Sequence, residues 1–159
     1  MKVSQQGNTV ILEDIKHFNP KHIFECGQCF RWIKQEDDSY TGVAMGKVIN
    51  VKQDGDKIYL DNTTKEDFDN IWYDYFDLGR DYEEMVNTLK VMDEYLEKAT
   101  EFGEGIRILK QDGWEMLISF IISANNRIPM IQRAINNLSK NYGTYIGEYK
   151  GQKYYAFPT

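Results

Sequence analysis

The sequence predicts an α+β fold, with strands first and helices after, from three observations. Between residues 8 and 60, short apolar segments of strand length are separated by turn signals. From Thr63 onward the apolar spacing changes to the three-to-four-residue period of amphipathic helices. A Gly103-Glu104-Gly105 break then divides the chain into a β-rich unit with helices, residues 1–104, and the start of an all-helical unit, residues 105–159.

The elements follow in order. Asn8-Thr9-Val10-Ile11-Leu12 reads as a short strand, followed by a loop containing Pro20. Phe30-Arg31-Trp32-Ile33-Lys34 alternates apolar and polar, and Asp37-Asp38-Ser39 turns the chain. Strands at 40–45, 48–52 and 57–60 follow, separated by Gly46-Lys47 and Asp54-Gly55-Asp56. The Asp-Gly pair favours the positive φ of a tight hairpin turn, so these segments form an antiparallel meander.

Thr64 is positioned to cap a helix with Glu66 and Asp67 in its first turn and Phe68, Ile71, Trp72 and Tyr75 on one face. Asp77-Leu78-Gly79 stops it. One longer helix is expected from about Asp81 to Gly103, with Tyr82, Met85, Leu89, Met92 and Leu96 as its stripe. Asp112 and Glu115 have the spacing of a capping box, opening a helix whose Trp114, Leu117, Ile118, Ile121 and Ile122 make it apolar nearly all round. Such a helix is expected at the centre of its domain. It ends in Asn125-Asn126-Arg127, and a further helix begins at Ile128-Pro129 and ends at Asn141-Tyr142-Gly143.

The composition is that of a folded chain: 159 residues, 42% hydrophobic and 14% aromatic. No run of about 18 apolar residues is present, so no membrane span is expected. The start, Met1 to Gln6, has no apolar core of a secretory signal, and two cysteines make no disulfide framework. A reducing cytoplasm is therefore the expected location.

The net charge of −6 is unevenly spread. Residues 1–60 carry 8 Lys/Arg against 8 Asp/Glu, residues 61–104 carry 4 against 14, and residues 105–159 carry 7 against 3. An acidic middle repels phosphates, so contact with nucleic acid is expected of the last third. A net +4 over that stretch also suits an ordinary solvated surface.

Three motifs carry candidate chemistry. His17, His22, Cys26 and Cys29 lie within thirteen residues and could offer four zinc ligands. Their spacing is compressed, their order fits no standard finger, and the cysteine pair precedes a strand rather than a helix N-terminus that would stabilise a thiolate. No metal is therefore assigned. Gly27 marks either a turn or a position where a ligand approaches the backbone. Asn125 and Asn126 are either a left-handed helix cap or, with Arg127, a rigid hydrogen-bonding probe at the end of an apolar rod. No Ser/His/Asp arrangement is present.

Gly27-Gln28-Cys29-Phe30-Arg31-Trp32, the segment Gly105 to Asp112, Ser119-Phe120-Ile121-Ile122-Ser123-Ala124-Asn125-Asn126, and Tyr154-Tyr155-Ala156-Phe157-Pro158-Thr159 together resemble the 8-oxoguanine DNA glycosylase family of base-excision repair. Order and spacing match over nearly the whole chain. The resemblance implies an N-terminal antiparallel sheet domain with helices, like half of the TATA-binding protein, followed by the first helices of a helix-hairpin-helix domain. It implies that Gly27, with Gln28 beside it, recognises the lesion, the Gly27 carbonyl accepting from the N7–H that 8-oxoguanine has and guanine lacks. Asn125, with Asn126, would enter the gap left by the flipped base and contact the orphaned cytosine.

Two positions depart from that pattern. Arg127 replaces another Asn, and Met130 stands where the animal enzymes have an arginine that also reads cytosine, so relaxed partner choice and a bacterial-type member are expected. The family's catalytic lysine and aspartate correspond to positions beyond Thr159. No catalytic residue is thus assigned here, and the chain is expected to be the inactive N-terminal part of a bifunctional glycosylase and AP lyase. The implied chemistry is attack by an amine, needing no cofactor. The implied partner is damaged double-stranded DNA with 8-oxoguanine opposite cytosine, met on a bacterial nucleoid in the cytoplasm. An uncovered apolar face on the 113–123 helix would favour self-association. The rival reading is a stand-alone nucleic-acid-binding or scaffold module without chemistry.

Overall fold

The computed structural model describes residues 1–159. Six strands form one antiparallel sheet: β1 (Lys2–Gln6), β2 (Thr9–Glu13), β3 (Trp32–Lys34), β4 (Tyr40–Ala44), β5 (Lys47–Asp54) and β6 (Lys57–Asp61). Their order across the sheet is β1-β2-β6-β5-β4-β3. The register aligns Val10, Leu60, Val51 and Tyr40 across four strands, giving a continuous buried row. Each of these residues lies in a segment read from the sequence as a strand. β1 escaped that reading because its side chains are mostly exposed, so no apolar alternation marks it.

Helices cover that face. α1 (Pro20–Glu25) occupies the expected loop: Asn19 caps it by accepting from His22 N, and Pro20 stands in its first turn. At six residues it is too short for a period to show. α2 (Lys65–Asp67) continues through a π-helical turn, Phe68–Trp72, into α3 (Tyr73–Tyr75). Thr64 caps α2 as expected, accepting from Asp67 N. Phe68, Trp72, Tyr75 and Phe76 are buried against the sheet. Phe24 stacks on Trp32 with centroids 4.0 Å apart, and the Trp32 indole donates to the Tyr75 hydroxyl at 2.9 Å. Buried aromatic N–H groups need such partners.

The long helix expected from Asp81 to Gly103 is two helices, α4 (Tyr82–Lys90) and α5 (Glu94–Phe102). Asp93 causes the break. Its carboxylate accepts from the backbone N–H of Tyr95 and Leu96, capping a new helix more favourably than continuing the old one.

Residues 105–111 cross the first unit as an irregular strap. Gly105 has φ +81°, and a Cβ there would sit 2.8 Å from the Asn19 nitrogen, so only glycine lets the strap begin this close to α1. Its carbonyl accepts from Asn19 N. Leu109 enters the sheet's core cluster.

α6 (Gly113–Ser123) begins at Asp112, which accepts from Glu115 N at 2.8 Å. The uncovered apolar face expected on this helix is present within these 159 residues. Only Ser119 is buried, while Trp114, Leu117, Phe120 and Ile121 are at least half exposed. Apolar composition reports that a face needs cover, not which segment supplies it, and α6 packs alongside α7 (Ile128–Tyr142) with its other flank open. A hairpin of β7 (Tyr145–Tyr149) and β8 (Gln152–Tyr155) follows, unmarked in the sequence because Lys150-Gly151, both at positive φ, is a weaker turn signal than Asn-Gly. The Tyr149 hydroxyl ties it to Asp61 of β6 at 2.6 Å. No helix is long and apolar enough to cross a membrane.

Candidate nucleic-acid interface

α1 ends at Cys26, and Gly27 follows at φ +88°. Nothing lies within 4 Å of where a Cβ would stand, so the requirement for glycine is conformational and the backbone here faces open space. Gln28 then anchors the chain. Its Nε2 donates to the Ile23 carbonyl and to the Arg107 carbonyl, both at 2.9 Å, and its Oε1 accepts from Leu109 N at 2.9 Å. Its own carbonyl accepts from Gln111 Nε2 at 2.6 Å. Ile23 is near the end of a helix, where carbonyls lack intrahelical donors, so the Gln28 amide fills a need α1 creates.

The strap that Gln28 grips is itself fixed by Arg107, a buried guanidinium. It donates to the carbonyls of His17 (2.7 Å), Asp77 (2.9 Å) and Lys16 (2.9 Å), and lies 4.5 Å over the Tyr82 ring. Burial lowers its proton affinity, which Tyr82 and Asp77 partly restore. The Tyr82 hydroxyl accepts from Ile108 N and donates to Asp77, each at 2.9 Å.

Burial by itself raises the Asp77 carboxyl, but hydrogen bonds from Tyr82 and Lys110, with Arg80 nearby, hold it below the ordinary aspartate range. A folded value below the unfolded one means that its stabilisation is complete above the unfolded value of about 4 and is lost as pH falls through the folded one. Asp77→Asn should therefore flatten the acid limb of the stability profile below about pH 4. Urea titrations at several pH values would read this, and an unchanged slope would show that the carboxylate contributes nothing.

Gly27, Gln28 and Phe30, the strap residues Ile108 to Gln111, and Met116, Phe120 and Ser123 of α6 line an open cleft of about 660 Å³. That lies within the usual size range of small-ligand sites. Lys110 is the one charged residue lining it. The three α6 residues recur at helical spacing, so the helix runs along one wall. Arg31, buried just before β3, faces that helix: its Nη1 lies 3.8 Å from Glu115, and burial raises the Glu115 carboxyl against the pull of this arginine.

α6 delivers Asn125 two residues beyond Ser123. Both asparagines take part in ending α6. Asn126 Nδ2 donates to the Ile122 carbonyl at 3.1 Å and its Oδ1 accepts from Arg127 N at 2.9 Å. Asn125 is exposed at φ +52°, a left-handed position that asparagine tolerates, and its side chain takes no part in these bonds. Arg127 and Met130 are exposed at the start of α7, outside the cleft lining.

Of the potential zinc ligands, His22 has its Nδ1 2.7 Å from the Glu104 carbonyl, and burial pushes the Cys29 thiol far up. Sequence reasoning assigned no role to Arg107, Gln111, Met116 or Phe120. The one available signal was an arginine enclosed by Ile106 and Ile108, which marks a buried cation.

Comparison with known proteins bears on this geometry. The family described as the 8-oxoguanine DNA glycosylase N-terminal domain matches residues 10–117. The N-glycosylase/DNA lyase of Saccharomyces cerevisiae is 32% identical over 152 residues, covering 87% of this chain and 40% of that protein. The Clostridium acetobutylicum 8-oxoguanine glycosylase/lyase, solved in complex with double-stranded DNA containing cytosine opposite 8-oxoG, is 50% identical with a TM-score of 0.96, over 100% of this chain and 54% of that one. Its apo form superposes with a TM-score of 0.95. The chain thus spans about half or less of the relatives it matches. The strap, the cleft and the helix-end asparagine therefore stand in a chain that belongs to the 8-oxoguanine DNA glycosylase family and carries its N-terminal domain.

Proposed function

We propose that these residues recognise the lesion and its partner base in a DNA glycosylase/AP lyase that excises 8-oxoguanine from duplex DNA. The observation that carries this reading is the cleft with Gly27 in its lining and the α6 wall leading to the unengaged Asn125. A carbonyl oxygen can only accept a hydrogen bond. Guanine presents an acceptor at N7, so the two would repel, whereas the N7–H of 8-oxoguanine donates. An everted base in the cleft leaves a void in the stack, and an amide at position 125 fills it and meets the orphaned cytosine, offsetting part of a flipping cost of a few kcal/mol. Gln28 belongs to the same recognition unit. Arg127 and Met130 flank the partner base, and the absence of an arginine at 130 relaxes partner choice. Residues 1–104 act as the sheet domain and 105–159 as the start of the helical one, with the 105–111 strap joining them. The protein acts on the nucleoid, in the cytoplasm.

The amine nucleophile is supplied from outside these 159 residues, so the segment alone does not cleave. Borohydride trapping on a duplex with 8-oxoguanine opposite cytosine tests both statements. The full-length protein should give a covalent adduct and residues 1–159 none. An adduct on residues 1–159 would place the nucleophile within them, and no adduct with the full-length protein would overturn the enzymatic reading.

A further inference from the structure

We infer that Gln28 is a positioning residue that aims the Gly27 carbonyl, rather than a group that touches the base. The inference rests on the reading of Gly27 proposed above. The carbonyl of Gly27 and the nitrogen and Cα of Gln28 belong to one planar peptide unit, so fixing Gln28 fixes the direction of that C=O. Gly27 cannot fix it alone. It has no side chain, occupies a left-handed conformation, and has nothing packed within 4 Å of its Cβ direction.

Gln28 is held from three sides. Both hydrogens of its side-chain amide are committed, one to Ile23 of α1 and one to Arg107 of the strap, and its oxygen accepts from Leu109 N. No side-chain donor is left for a base. Its main-chain carbonyl, on the far side of the residue from the Gly27 peptide, accepts from Gln111. The strap end of this clamp does not drift, because Arg107 joins it to three carbonyls of the sheet unit.

The chemistry of the clamp restricts what can replace it. Glutamate would set a carboxylate against the two carbonyl oxygens that now accept. Asparagine is one methylene short of spanning from α1 to the strap. Methionine matches the length and offers no donor. A loosened clamp lets the 27–28 peptide rotate, and the enzyme loses the distinction between a donor and a non-donor at N7 before it loses its grip on DNA.

The test is a thermodynamic cycle in the full-length protein, between Gln28→Met and a lesion analogue, 7-deaza-8-oxoguanine, in which N7–H is replaced by C–H. The wild type should bind the 8-oxoguanine duplex about tenfold more tightly than the analogue duplex, the scale of one hydrogen bond. In Gln28→Met the ratio should fall toward one. Gln111→Leu, which removes only the bond to the Gln28 carbonyl, should move the ratio the same way by less, and serves if Gln28→Met does not fold. Weakening of both duplexes by the same factor, with the ratio kept, would make Gln28 merely structural and overturn the inference while the Gly27 reading stands. A wild-type ratio of one would instead overturn the Gly27 reading, and this inference with it.

Discussion

Arg107→Ala is expected to lower the unfolding free energy by ~3 kcal/mol or more, a large share of the 5–15 kcal/mol of a typical domain. The guanidinium donates to three carbonyls within 2.9 Å and is 5% exposed, so its removal strands acceptors where water does not readily replace it. Each buried acceptor left unpaired costs about 1–3 kcal/mol, reduced where the strap relaxes toward solvent. The cation over the Tyr82 ring is lost as well. Arg107→Lys should fall between, since an ammonium keeps the charge but not the planar fork that reaches three directions. Urea denaturation of each variant reads the difference. A loss under about 1 kcal/mol for Arg107→Ala would mean that the strap is not held by this residue.

The second large effect is expected at the end of α6. Asn125→Gly, which keeps the left-handed backbone at φ +52° and removes the amide, should in the full-length protein reduce excision of 8-oxoguanine opposite cytosine by about tenfold or more, with stability little changed. The amide fills the space left by the everted base only in the flipped state, so its loss falls on that state, and about 1.4 kcal/mol is a factor of ten. Asn126→Ala should show the reverse pattern. It removes the bond that closes α6 at Ile122 and the one from Arg127 N, costing about 1 kcal/mol of stability, while leaving the partner-base contact in place. Single-turnover excision and thermal melts on the two variants separate the roles. Equal effects of the two substitutions on both measurements would contradict the division.

How much of this was legible in the sequence depends on the kind of information each element carries. The meander was readable because short apolar segments of strand length are separated by turn signals, Asp54-Gly55 among them. The caps at Thr64 and Asp112 were readable because capping acts over three residues. Asp93 has the same chemistry but was passed over, since the apolar stripe on either side of it reads as continuous. α1 and the β7–β8 hairpin are short elements fixed by contacts distant in sequence, such as Tyr149 with Asp61. At the site, Gly27 and Asn125 stood out as residue types suited to close approach and hydrogen bonding. Arg107 and the Gln28 clamp did not, because most of the groups they bond lie 79 to 91 residues away. Nor does the strength of an apolar pattern say what covers it: α6 reads as central, and its apolar flank lies uncovered within these 159 residues.

The most direct test is a crystal structure of the full-length protein on a duplex with 8-oxoguanine opposite cytosine. The everted base should lie in the cleft between residues 27–30 and α6, with the Gly27 oxygen about 2.9 Å from N7 and the Asn125 amide in the vacated stack. A lesion bound on another face, or a cleft entered with residue 125 far from the orphaned cytosine, would contradict the account.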